Sequence, residues 1–198
     1  MKGGLAILAV VALLVLGIGG WVVSNYNNLV TKKTEVERSF AEVDNLLLRR
    51  NDLIPNLVET VKGIAAQEQV VFGQIAEARA AMAGARTNEQ KIAAGNSMDS
   101  ALSRLLVVIE NYPQLRSQEN FLRLQDELAG TENRLSVART RYNEVVRDYN
   151  VLVKRFPTNL FAGMFGYHEE PFYQVTPEQR EVPGVRFPGA PGDTTSGG

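Results

Sequence analysis

Few side chains in this sequence have the types and spacing that enzyme chemistry requires. The single histidine, His168, stands beside Glu169 and Glu170, which is more typical of a polar surface than of a general base or metal ligand. The chain has no cysteine, which excludes disulfides, thiolate nucleophiles and cysteine-based metal sites. It also lacks a phosphate-binding loop, a nucleophile elbow and the Glu-x-x-His pairs of di-iron bundles. We therefore expect a protein that is not an enzyme and binds no cofactor or metal.

The overall charge argues against nucleic acid as a partner. The 198 residues carry a formal net charge of −1, and no run of Lys or Arg is longer than two residues. A protein that neutralises many phosphates needs a basic field, which this composition does not supply. The length suits one domain with appendages.

Six polar residues around Pro55 form a candidate interaction surface: Arg49, Arg50, Asp52, Asn56, Glu59 and Lys62. They are consistent with a docking surface. A structural role is favoured over docking: Asp52 and Asn56 would satisfy backbone groups at helix ends, and Arg50 would form ion pairs. A second polar pattern, Tyr142-Asn143 repeated as Tyr149-Asn150, predicts core tyrosines beside polar neighbours rather than a ligand-stacking ladder.

Residues 5–23 form an uncharged, mostly apolar segment that is long enough to cross a bilayer as a helix, at about 1.5 Å per residue. A cleaved signal peptide is the alternative, but its apolar region is usually shorter and its cleavage site is better defined. Trp21 suits the membrane interface. The cations Lys32, Lys33 and Arg38 slightly outweigh those of the amino end, which predicts a cytoplasmic soluble domain on the bacterial inner membrane.

Apolar residues at spacings of three and four predict four helices after this segment. The first covers about residues 26–51 and the second about 55–82. A third begins at a Thr87 cap and ends at Pro113, and the fourth runs from a Ser117 cap to Pro157.

Pro55 decides how the first two helices are arranged. Proline suits the first turn of a new helix, and a reversal over residues 51–54 gives four segments of comparable length. We therefore predict an all-α fold, in which a single transmembrane helix precedes an antiparallel up-and-down four-helix bundle. The unbroken apolar spacing across Pro55 favours the alternative, one long helix that is kinked at the proline.

The segment after Pro157 is short, apolar and aromatic, with Asn159 as a candidate cap. If the fourth helix returns to the membrane, this segment reaches the bilayer surface, so the candidate membrane-interface residues are Trp21, Leu160, Phe161, Met164 and Phe165. Alternatively, Phe161 and Phe165 cap the bundle core. Residues 174–198 are rich in Pro, Gly, Ser and Thr, which predicts a disordered tail.

Several of these stretches together resemble the LemA family of bacteria. The resemblance rests on the segment Arg49–Gly63, which contains Leu-Ile-Pro-Asn-Leu-Val-Glu-Thr-Val-Lys-Gly, on Tyr112-Pro113 and on the two Tyr-Asn pairs. It implies a membrane-anchored four-helix bundle with no family catalytic residues to carry over. The expected domains are an anchor over 1–25, a LemA-like bundle over 26–173 and the tail over 174–198.

These observations predict an interaction or scaffold module at the cell envelope. Its expected partners are the lipid bilayer, other membrane or envelope proteins and copies of itself. The alternative is a ligand- or signal-sensing module coupled to the transmembrane helix. A buried polar cluster without a structural partner would favour the alternative.

Overall fold

A computed structural model describes residues 2–65 and 67–174, and its regular elements over these ranges are all helices. In chain order these are α1 (Lys2–Lys62), α2 (Gln69–Gly84), α3 (Asn88–Glu110), α4 (Pro113–Arg116), α5 (Glu119–Lys154) and α6 (Thr158–Ala162). The prediction of an all-α chain with a long apolar amino-terminal helix is confirmed. The predicted tail, apart from Gln174, lies outside the described residues.

The amino-terminal part of α1 is apolar and exposed. Over residues 8–23 most of its large apolar side chains are exposed, namely Leu8, Val10, Val11, Leu13, Leu14, Val15, Leu16, Ile18, Trp21 and Val23. This stretch is long and apolar enough to cross a membrane. Helix α3 meets the same criteria of length and composition, but half of its apolar stretch is buried inside the fold, as expected of a core helix.

The predicted reversal over residues 51–54 is wrong, because α1 continues through Pro55 without interruption. Proline inside a helix removes one hydrogen bond and costs about 3 kcal/mol. Ile54, Leu57 and Val61 are fully buried on the same face of α1, and burying each contributes about 1.5–3 kcal/mol. The packing of this face therefore outweighs the local cost of the proline, and the chain reverses only between Lys62 and Gln69.

Helices α1 and α5 pack against each other antiparallel along most of their length. Phe40 meets the ring of Tyr142 edge to face at 5.3 Å, and Glu42 pairs with Arg141 at 3.0 Å. Nearer the amino-terminal end, Lys33 lies 5.9 Å from the ring centre of Tyr149. Residue numbers thus rise along α1 as they fall along α5, and α5 returns towards the apolar end of α1.

Helices α2 and α3 form a hairpin against the distal half of α1. The α2 residue Phe72 lies beside Lys62, while Met82 packs in the same cluster as Leu47, so α2 runs back along α1. Thr87 caps α3 through a reciprocal capping box with Gln90, which confirms the predicted helix start.

The N-cap positions of α5 and α6 differ from the prediction. Gln118, one residue after the predicted Ser117, occupies the N-cap of α5 without a side-chain capping bond, and Asn159 lies inside α6. After α6 the chain runs without regular structure over residues 163–174. We call residues 167–174 the strap.

Candidate functional site

Four charged side chains form an ion-pair network between α1, α3 and α5: Arg50, Asp99, Glu132 and Arg139. Asp99 is only 4% exposed and pairs with both arginines, with its Oδ2 atom 3.0 Å from Nη2 of Arg139. Glu132 also contacts both, with Oε2 2.8 Å from Nη1 of Arg50. The two cations and two anions balance, so the network buries ions that are paired rather than isolated.

Tyr173 of the strap closes one side of this network. Its hydroxyl lies 3.1 Å from Nη2 of Arg139, and the guanidinium group stands 4.4 Å from the centre of the tyrosine ring. Burial acts to lower the pKa of Arg139, but Tyr173, Asp99 and Glu132 outweigh it and raise that pKa. Burial also raises the pKa of Tyr173 to about 12, although Arg139 acts in the opposite direction.

The network changes the interpretation of the candidate interaction surface. Arg50 is buried and points into the fold, whereas the other five members of the set are exposed on α1. These five, Arg49, Asp52, Asn56, Glu59 and Lys62, recur every three or four residues and so share one face of the helix. We call them the α1 stripe. They do not surround a turn, because α1 is continuous there.

A cavity of about 320 Å³ adjoins the network in the gap between α3 and α5. Arg50, Asp99 and Glu132 line its polar end. Its remaining lining is mostly apolar and includes Leu57, Leu102, Leu105, Leu106, Phe121 and Leu128, with Ser103 and Gln125 also present. This volume and polarity are typical of small-molecule sites. The charged residues at its polar end, however, already pair with one another.

The Tyr-Asn repeat holds the strap against α5. The side-chain amide of Asn150 donates to the carbonyl oxygen of Glu170 at 2.9 Å and accepts from its N–H at 2.8 Å. Asn143 makes the same two bonds with Tyr173, at 3.0 and 2.7 Å. Each asparagine therefore pairs with the backbone of the strap as a neighbouring strand would.

The two tyrosines of the repeat bind strap carbonyl groups. The hydroxyl of Tyr149 donates to His168 at 2.9 Å, and that of Tyr142 donates to Pro171 at 2.8 Å. Burial raises the pKa of Tyr149 to about 12 and also raises the pKa of Tyr142. The prediction of buried tyrosines beside polar neighbours is confirmed, but the backbone-binding role of the asparagines was missed.

The seven-residue spacing of the repeat explains the fit. Seven residues of α-helix rise about 10.5 Å. Three residues of extended chain cover about 10 Å. The pairs at 149/150 and 142/143 therefore meet strap residues that are three positions apart. The repeat was the available sequence signal, but the strap has no periodic pattern that would identify it as the partner.

The candidate membrane-interface residues lie together at the amino-terminal end of the fold. Phe161 meets Trp21 edge to face with ring centres 5.8 Å apart, and Phe165 meets Tyr26 in the same way at 5.1 Å. The Thr158 hydroxyl donates to the Asn25 side chain at 3.3 Å. Helix α6 is thus fixed beside the end of the apolar stretch of α1.

The polar residues His168, Glu169 and Glu170 belong to the strap. The side chain of His168 is exposed, while Glu170 pairs with Lys33 of α1 and Glu169 pairs with Lys154. Within residues 2–65 and 67–174, no group of three or more His, Asp or Glu side chains is placed to hold a metal ion.

Comparison with known proteins identifies relatives of this chain. Residues 39–187 match the LemA family, which is more than half of the chain. Magnetosome protein MamQ 2 of Paramagnetospirillum magneticum is 22% identical over 87% of this chain and 73% of its own length. Magnetosome protein MamQ of Magnetospirillum gryphiswaldense is 21% identical over 77% of this chain and 65% of its own length. Protein LemA of Metamycoplasma hominis is 19% identical over 85% of this chain and 78% of its own length.

Proposed function

The chain belongs to the LemA family, and from that premise we propose that it is a membrane-anchored, non-enzymatic scaffold of the bacterial cell envelope. It presents helix faces to other envelope proteins and to copies of itself. Its four long helical segments, which are residues 26–62 of α1 together with α2, α3 and α5, act as an up-and-down bundle.

The observation that carries this proposal is the continuity of α1. One helix contains both the exposed apolar stretch and the buried faces that pack against α5 and α2. A helix without a break transmits position and orientation, so the folded body stands at a defined distance and angle from the bilayer. The relatives that are named magnetosome proteins also support a membrane setting for this chain.

The α1 stripe is the proposed docking face. It lies roughly 40–60 Å beyond Val23 along the helix, at 1.5 Å per residue. It carries both signs of charge and an amide, which suits a polar protein surface better than a lipid surface.

Site-specific cross-linking in native membranes tests this docking face. A photoreactive residue in place of Asn56 should yield discrete cross-linked species, and Asp52→Lys together with Glu59→Lys should abolish them. The matched control carries the photoreactive residue in place of Arg147, an exposed residue of α5. Equal cross-linking at both positions, or none at position 56, would reject the stripe as a docking face.

For the membrane face, we propose a single span with the soluble domain in the cytoplasm. Lys32, Lys33 and Arg38 follow the apolar stretch, and acidic neighbours such as Glu35 contribute little to the rule that places cations inside. A cysteine in place of the exposed Ser136 reports the side, because the chain has no other thiol. An impermeant thiol reagent should leave intact spheroplasts unlabelled and label them after lysis. Labelling before lysis would reverse the assignment.

The cavity beside Arg50 favours a second candidate function, the sensing of a small ligand. A ligand there would contact α1, α3 and α5 together and could bias how α1 enters the membrane. Native mass spectrometry of detergent-released protein should then detect a bound small molecule. Ala129→Trp, which fills the gap from α5, should remove it, and its absence from the unmodified protein would exclude this candidate.

A further inference from the structure

We propose that the carboxyl end of the fold forms a second membrane contact, an apolar collar that rests in the lipid interface beside the transmembrane part of α1. The collar consists of Phe156, Leu160, Met164 and Phe165. The inference rests on the membrane anchoring proposed above and adds to it the surface by which the folded body itself meets lipid.

Exposure is the first observation. Phe156 is 74% exposed, Leu160 59% and Met164 78%. Three large apolar side chains within nine residues are a costly surface to leave in water. Phe165 extends the same surface and is also exposed.

Position is the second observation. Because α5 runs antiparallel to α1, the collar lies at the level of residues 21–26, where the apolar stretch of α1 ends. Trp21 contacts Phe161, and Tyr26 contacts Phe165. Aromatic residues at this level are typical of the membrane–water interface. The apolar surface of the collar therefore continues that of the proposed span.

The packing of α6 separates the collar from the protein core. Ala162 and Thr158 are the buried residues of α6, and Ala162 belongs to a core cluster to which α1 and α5 contribute most of the residues. Leu160 and Met164, by contrast, are exposed and add nothing to the buried core. Burying their apolar area in the interface supplies the stabilisation that the protein core does not.

The strap holds the collar at this level. Residues 163–166 connect α6 to the strap, and the strap is fixed by Asn150 at Glu170 and by Tyr149 at His168. The collar is therefore tied to the fold on both sides, through α5 before it and through the strap after it. The proposed partner of the collar is lipid, because the anchoring helix α1 holds the collar at the level of the membrane interface.

Depth measurements on the full-length protein in liposomes of phosphatidylethanolamine and phosphatidylglycerol test the collar. The cysteine-free chain accepts single nitroxide labels at Leu160→Cys and Met164→Cys. References are Val23→Cys at the end of the apolar stretch and Val137→Cys, an exposed apolar site about 25 Å along α5 from Lys154. We expect collisions with a water-soluble nickel chelate to be at least about fivefold fewer at 160 and 164 than at 137, because the interface excludes the chelate.

Three outcomes are distinguishable. If the labels at 160, 164 and 23 are all protected from the nickel chelate, the collar is supported. The double substitution Phe165→Ser with Leu160→Ser should then make the label at 164 accessible to the chelate. Protection at 23 with free access at 164 would overturn the collar and leave the anchor intact. Free access at 23 as well would overturn both the anchor and the collar that depends on it.

Discussion

Asn150 and Glu170 form a two-bond pair in which one side-chain amide satisfies both backbone groups of a residue twenty positions away. Asn143 repeats this arrangement with Tyr173. The strap is therefore held by side chains of α5 that take the place of a neighbouring strand.

Asn150→Ala should release the strap locally. Two hydrogen bonds worth about 0.5–1.5 kcal/mol each are lost, so the Glu170 amide should exchange with solvent at least about fivefold faster. Asn143→Ala is the matched control, because it should accelerate exchange at Tyr173 more than at Glu170. Unchanged exchange at Glu170 in the Asn150 variant would contradict the clamp.

Gly95 of α3 leaves room for the end of Tyr173. A Cβ atom at position 95 would lie 2.5 Å from the tyrosine hydroxyl and 3.1 Å from Cδ2 of Leu47. Gly95→Ala should therefore lower the free energy of unfolding by about 1–3 kcal/mol, measured by urea denaturation. In a Tyr173→Phe background the loss should be smaller, because the hydroxyl is gone. Equal losses in both backgrounds would mean that the strap does not pack there.

The buried ion-pair network should be sensitive to the loss of one member. Asp99→Ala removes the more deeply buried of the two carboxylates that Arg50 and Arg139 share, and should cost about 3–5 kcal/mol of unfolding free energy. Asp44→Ala is the matched control, since it removes a partly exposed pair with Lys91 between α1 and α3. That loss should be about 1 kcal/mol or less. Similar costs at both sites would argue against a structural role for the network.

Alkaline pH should destabilise the fold through the buried tyrosines. Burial raises the pKa of Tyr149 and Tyr173 to about 12, whereas both titrate near 10.0 when unfolded. Above pH 10 the unfolded chain loses protons that the folded chain retains, so stability is complete below pH 10 and falls towards pH 12. Tyr149→Phe with Tyr173→Phe should flatten this decline in denaturation series. An unchanged slope would show that these two hydroxyls do not titrate late.

The sequence predicted the helices better than it predicted their connections. Apolar spacing correctly indicated the amphipathic segments, and Thr87 marked a true helix start. The chain reversal predicted at Pro55 is wrong because it considered the preference of proline for a helix start without the burial of Ile54 and Val61. That burial depends on packing against α2 and α3. Equal segment lengths were also a poor guide, because α5 with 36 residues matches all of 26–62 in α1 rather than half of it.

The site was harder to predict than the fold because its partners are distant in sequence. The ion pairing predicted for Arg50 is confirmed, but its burial was not foreseen, because it depends on Asp99, which follows 49 positions later. The Tyr-Asn repeat was visible, yet the strap that it binds has no pattern of its own. The sequence did predict that the apolar segment after Pro157 returns to the level of Trp21, and Phe161 and Phe165 do lie beside Trp21 and Tyr26. Contact of this segment with lipid stays a prediction.

In the proposed function, one rigid helix joins the membrane to the folded body. Nitroxide labels at Leu16→Cys and Glu42→Cys bracket the exit from the bilayer, and both side chains are exposed. In liposomes, pulsed dipolar spectroscopy should give one narrow distribution of label-to-label distances centred at about 39 Å, the rise of 26 helical residues. A broad distribution at clearly shorter distances would place a hinge at the membrane surface and contradict the account.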